Sequence, residues 1–166
     1  MTTRRVVSTN VMAQLIYGER ISKTAKIRTG CAAIVFDDSR QKILLTKRTD
    51  NGRWCLPGGG LDTGESATEA CEREMFEETG LRVKVKRLTG IYSDPNMIVQ
   101  YADGNAWQIV ALTFEVEVIG GTLGLSDETR AADYFSREEM KTMDVMEHHL
   151  TRIDDALANR EAAFVR

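Results

Sequence analysis

An α/β fold is what this sequence predicts, on three observations. Four apolar segments of strand length, 30–36, 42–48, 81–91 and 107–119, are set apart by turn-forming chain. Helical patterns lie between them and after them, at 66–80 and 146–163. The length, 166 residues with 42% hydrophobic, is one domain's worth and supplies a sizeable core.

The elements follow in order. From Ser8 to Ile21 the apolar residues Val11, Met12, Leu15 and Ile16 have helical spacing, which predicts a short leading helix, with Ser22–Arg28 as a polar connector. The run Gly30–Phe36 is apolar throughout and suits a strand covered on both faces. Asp37-Asp38-Ser39 then turns the chain into Lys42–Arg48, read as the second strand of a hairpin. A polar loop, 49–53, leads to the glycine cluster Pro57-Gly58-Gly59-Gly60. Ser66-Ala67-Thr68-Glu69 has the pattern of a capping box, and Gly80 is a natural helix stop. Leu81–Ile91 and Trp107–Ile119 read as strands, Gly120-Gly121 as a turn and Ala132–Phe135 as a short strand. Ser136–Glu139 caps a short helix, and Met146–Ala163 reads as an amphipathic helix with Leu150, Ile153 and Leu157 inside and polar residues opposite.

Composition excludes several classes. With 22 basic and 25 acidic residues, net charge −3, nothing global favours duplex nucleic acid or an anionic membrane. No run reaches the ~20 apolar residues of a membrane-spanning helix. Polar residues interrupt 6–16, so a secretory signal is a poor reading. Cys31, Cys55 and Cys71 form no CxxC pair and sit in apolar or structured runs, as buried thiols of a cytoplasmic protein do.

The helix at 66–80 holds the anomaly. At about 100° per residue, Ala67, Ala70 and Cys71 mark its inner face, and Glu74 and Glu78 fall about 20° to either side of Ala67. Glu77 lies at the border beside Ala70. A Glu-rich helix is ordinarily a solvated face, but here two acids point where the core should be, with only small residues around them. Gathered carboxylates are costly to bury and repel one another. They ask for a divalent cation, and ligation by oxygen alone suits Mg²⁺ or Mn²⁺. Glycines at 58–60 let backbone approach a ligand closely; a plain turn is the bland alternative. No Gly-Lys-Ser/Thr follows, so this is not a Walker loop.

Gly59, five residues, Glu65, seven residues, then Arg73-Glu74-Met75-Phe76-Glu77-Glu78-Thr79-Gly80-Leu81 resembles the complete signature box of the Nudix (MutT-type) hydrolases. Met75 is its one soft departure, where a branched aliphatic residue is more usual. The wider resemblance runs from Arg28 to about Met140 and implies a Nudix-type α/β/α sandwich with a mixed central sheet. A short N-terminal helix and connector (1–27) would precede the domain, and a C-terminal helix would close it (28–166).

The resemblance also implies roles. Glu74, Glu77 and Glu78 would hold the catalytic metal, helped by the Gly58 carbonyl, with Glu128 from a later loop as a further ligand and Asp127 in reserve. Glu65 and Arg73 would be a structural ion pair supporting the box, together with Gly59 and Gly80. Arg48 matches a position where some relatives place a cation on substrate phosphates; a solvated strand-end arginine is the plainer reading. The general base stays open between Glu74 and a loop acid.

The implied reaction is metal-dependent hydrolysis of the pyrophosphate link in a nucleoside diphosphate joined to a group X: ADP-ribose-like, a CDP-alcohol or a nucleotide sugar. Hydrolysis of oxidised nucleoside triphosphates is the alternative, and a catalytically silent nucleotide sensor stands further off, since the box is intact. Segment 92–108 is read as lying over the nucleotide, with Tyr92, Tyr101 and Trp107 placed to stack on a base. It holds no Lys or Arg, and its Pro95 nudges the choice towards ADP-ribose. A homodimer is left open.

Overall fold

The computed structural model describes residues 14–101 and 103–166. In chain order the elements are β1 (Gln14–Tyr17), β2 (Lys26–Val35), β3 (Lys42–Arg48), β4 (Trp54–Cys55), α1 (Ala67–Thr79), β5 (Leu81–Tyr92), β6 (Met97–Gln100), β7 (Ala106–Gly121), β8 (Thr129–Ser136), α2 (Glu147–Leu157) and β9 (Phe164–Val165). Short 3₁₀ turns occupy Ile21–Thr24 and Glu139–Thr142.

The long strand β7 organises a mixed sheet. It runs antiparallel to β5 and β6 and parallel to β2, while β1 joins β6 and β9 lies parallel to β5. A smaller antiparallel sheet has the order β4-β3-β8. The unbroken apolar run in β2 has a simple cause: both its faces are covered. Cys31, Ala33 and Val35 pack with Ala70, Cys71 and Met75 of α1, whereas Ala32 and Ile34 pack with Ile153 and Ala156 of α2. β3 divides the same way, Leu44 on the α1 side and Ile43 and Leu45 on the α2 side. The two sheets therefore lie between two helices, as an α/β/α sandwich.

Helix α1 starts and stops where its sequence says. The Ser66 hydroxyl accepts from the Glu69 amide, and the Glu69 carboxylate accepts from the Ser66 amide at 2.8 Å, a complete capping box. Gly80 ends the helix in the left-handed region at φ 72°. Met75, the soft departure of the box, is fully buried in the core.

Four expectations need correction. Gln14–Tyr17 is a strand, paired residue for residue with β6, and only Ile21–Thr24 turns helically; residues 8–13 of the expected leading helix lie outside the described residues. Pairing with a partner distant in sequence overrode the local pattern. β2 and β3 are not a hairpin: they belong to different sheets and share one bridge, Phe36 to Ile43. Gly120 and Gly121 continue β7, paired with Arg82 and Leu81, and do not turn the chain. The closing helix ends at Leu157, before Asn159 at φ 48°, and the chain then extends into β9. Among the described residues no helix is long and apolar enough to cross a membrane.

Candidate active site

The glycine loop is laid directly along β2. The Cys31 amide donates to the Gly59 carbonyl at 2.8 Å, and the Ala33 amide to the Pro57 carbonyl at 2.9 Å. Gly58, between them, has φ 151°, and a Cβ there would stand 2.2 Å from the Cys31 carbonyl oxygen. A Cβ on Gly59 would meet the Glu74 carboxylate at 2.5 Å. These two positions admit no side chain, because β2 lies on one side of the loop and α1 on the other.

The acids of α1 meet the loop from the other side. Glu78 accepts a hydrogen bond from the Gly58 amide at 3.2 Å. Burial, with the Glu74 charge adding to it, pushes the Glu78 carboxyl up to about 7 against the Gly58 hydrogen bond and the Arg48 charge. Burial also raises Glu74, opposed by the neighbouring Arg73. Glu77 sits at the border, its side chain 57% exposed against 17% for Glu74.

Arg73 fastens the arrangement. Its guanidinium binds Glu65 twice, at 2.5 and 3.0 Å, and donates to the Gly60 carbonyl at 3.2 Å. Hydrogen bonding to Arg73 holds Glu65 down to about 2. The same guanidinium reaches Glu74 at 2.9 Å and Glu77 at 3.0 Å, so the pair seen in the sequence is one arm of a clamp on three carboxylates. Among the described residues no three acidic, histidine or cysteine side chains stand close enough together to grip an ion as placed. The donor chemistry nevertheless suits a hard divalent cation. It is oxygen only, and burial disfavours the charge on Glu74 and Glu78 that a cation would stabilise.

The remaining sequence-predicted residues divide. Glu128 stands before β8, in a loop tied to Thr49 through its carbonyl, and its charge acts on both Glu74 and Glu78. Arg48 lines a cleft of about 240 Å³ beside Gly58–Gly60, but Asp50 holds its guanidinium bidentately at 2.7 and 2.8 Å. Tyr92 is buried, donates to Asp155 at 3.0 Å and lines a second cleft of about 570 Å³ with Pro95. Trp107 lies under Lys26 and lines neither cleft; Tyr101 lines the first.

The sequence reading placed a helix at α2 but missed its inward polar residues. His148 and Arg152 line both clefts, and the Leu56 amide donates to His149 Nδ1 at 3.3 Å. His149, Arg152 and Asp155 are buried, though their helix face reads as the polar, solvated one. A signal was present: His148 and Arg152 are one turn apart and share a face. Arg152, Arg28 and Arg48 also bring to the clefts the cations that segment 92–108 lacks. The argument from that lack loses its force.

An α/β/α sandwich whose glycine loop and acidic helix meet in this way belongs to a known class. Residues 26–155 match the family described as NUDIX domain, and the chain belongs to that family. It is 41% identical over 97 residues to an ADP-ribose pyrophosphatase of Methanocaldococcus jannaschii, covering 57% of this chain and 54% of that one. It is 48% identical over 66 residues to a putative 8-oxo-dGTP diphosphatase of Bacillus subtilis, covering 40% and 44%. The alignments thus span about half the length of these curated relatives. A NUDIX hydrolase structure from Nitrosomonas europaea superposes with a TM-score of 0.63 at 28% identity, over 81% of this chain and 90% of that one.

Proposed function

We propose that this chain hydrolyses the pyrophosphate link of a nucleoside diphosphate joined to a group X, with Mg²⁺ as cofactor and Mn²⁺ as substitute. One observation carries the reading: Glu74 and Glu78, both disfavoured in charge by burial, back onto Gly58 and Gly59, where backbone and carboxylate oxygens share a site. Glu74, Glu77 and Glu78 would hold the metal, with the Gly58 carbonyl and Glu128 as further donors. Bound there, it would neutralise phosphate oxygens and lower the pKa of a bound water.

The chain's own groups do the rest. The Gly58 amide fixes Glu78, and the Arg73 clamp fixes Glu74 and Glu77 against the loop. A carboxylate raised above its usual range, as Glu74 is, is suited to take the proton of an attacking water. Glu128, close enough for its charge to act on Glu74, is the other candidate base.

ADP-ribose leads among the X compounds, supported by the similarity to an ADP-ribose pyrophosphatase and by Pro95 at the second cleft. The similarity to a putative 8-oxo-dGTP diphosphatase favours a second reading, an oxidised nucleoside triphosphate as substrate. Comparing kcat/KM across ADP-ribose, CDP-choline, a nucleotide sugar, dGTP and 8-oxo-dGTP with Mg²⁺ separates them. The expected result is a preference for a diphosphate derivative. A hundredfold preference for either triphosphate, about 2.7 kcal/mol of discrimination, favours the second reading.

A further inference from the structure

Of the other arginines that line the two clefts, Arg48 is paired with Asp50, Arg166 with Asp155, and Arg28 is exposed to solvent. Arg152 is different. It is 6% exposed, it stands where the two clefts adjoin, and among the described residues no carboxylate or hydrogen-bond acceptor reaches it. Its Nε is buried without a partner, and the guanidinium rests 5.4 Å from the centre of the Tyr92 ring. One turn earlier, His148 Nδ1 is likewise buried and unpartnered. Its ring is neutral, because burial and the Arg152 charge hold its pKa down to about 3, so it offers no counter-charge.

A guanidinium buried without an anion is unfavourable, and folding alone gives it no reason to be there. The cleft it lines is also lined by Gly58–Gly60, and α2 is pinned to the approach of that loop by the bond from Leu56 to His149. A ligand whose phosphates lie along the glycines brings oxyanions into the cleft Arg152 lines. Arg48 must first give up Asp50 to bind them; Arg152 gives up nothing.

We propose that Arg152 is the substrate-binding cation of this cleft, taking an oxyanion of the pyrophosphate group, with His148 Nδ1 adding a hydrogen bond. The proposal rests on the pyrophosphatase reading for the identity of the anion, and its test is built to fail separately. Inorganic pyrophosphate is titrated calorimetrically into wild type, Arg152→Met, Arg152→Lys and, as a control outside the clefts, Arg137→Met. Arg152→Met should weaken binding at least tenfold, with Tm unchanged or higher because an unpaired buried charge is gone. Arg152→Lys should recover part of the loss and raise KM for nucleotides more than it lowers kcat, and Arg137→Met should match wild type. Pyrophosphate affinity in Arg152→Met within twofold of wild type, or no binding to the wild type, overturns the proposal. A chain that turns over no nucleotide yet binds pyrophosphate through Arg152 keeps this inference and loses the proposed function. Equal turnover of ADP-ribose with and without the guanidinium does the reverse.

Discussion

The two helices carry polar residues inward in opposite ways. On α1 the inward acids are crowded together, tied by Arg73 and faced by backbone. On α2 the inward polar groups are dispersed, two of them neutral imidazoles and one a guanidinium with no counter-ion. The first arrangement gathers like charges and suits a cation. The second holds an unpaired cation and suits an anion. A cleft bounded by both suits a ligand that brings metal and phosphate together.

The largest expected effect breaks the α1 side. Glu78→Gln should lower kcat by about a thousandfold or more at saturating Mg²⁺, while the circular dichroism spectrum and Tm hold, since removing one of several repelling charges need not destabilise the fold. Turnover near that of wild type would remove the carboxylates from the chemistry. Next, Arg73→Ala should loosen metal binding and lower Tm together, by about 5 °C, because Glu65, the Gly60 carbonyl and two box acids lose their common partner. Lost activity with metal affinity and Tm unchanged would make Arg73 a direct participant.

The smallest effect sharpens the α2 side, through pH. Burial holds His148 and His149 well below the ordinary imidazole range, whereas the unfolded chain titrates near 6.5. Below that value the unfolded state takes up protons that the folded state refuses. Stability should therefore be fully present above about pH 6.5 and fall with acid by up to about 1.4 kcal/mol per pH unit for each ring. Glu78, raised to about 7 in the fold, gains stability with acid over the same range and offsets about one ring. Urea unfolding at pH 7, 6 and 5 is therefore compared between wild type and His148→Gln, whose slopes should differ by about 1.4 kcal/mol per pH unit. An unchanged slope would mean that the ring is protonated in the fold.

What could be read from the sequence tracks how local its cause is. Ser66 and Glu69 make their cap within one turn, and Gly80 ends the helix by its own backbone, so α1 was legible to the residue. Helical periodicity alone turned Glu74 and Glu78 to the inner face of α1, and their meeting with the glycine loop was implied by the resemblance. β1 was not legible, because Leu15 and Ile16 are equally good on a helix and become a strand only against Val99 and Ile98. β2 and β3 have the same apolar run whether they pair with each other or separate into two sheets. The inward polar face of α2 was hidden for a third reason. Its burial comes from neighbours such as Tyr92 and Arg166, and no pattern within the helix announces them.

The pairing of β2 with β7 sets an order of assembly. Cys31 finds its register only against Leu112, and Val35 only against Val116, so this parallel contact closes a long stretch of chain before it returns any energy. The glycine loop hangs on β2 by the Cys31 and Ala33 amides, and β2 takes its place in the sheet only by docking on β7. α1 can form early from its own cap, carrying its acids into solvent. The surface that would bind phosphate is then among the last features to be completed. A refolding experiment should see helix signal recover before nucleotide binding does.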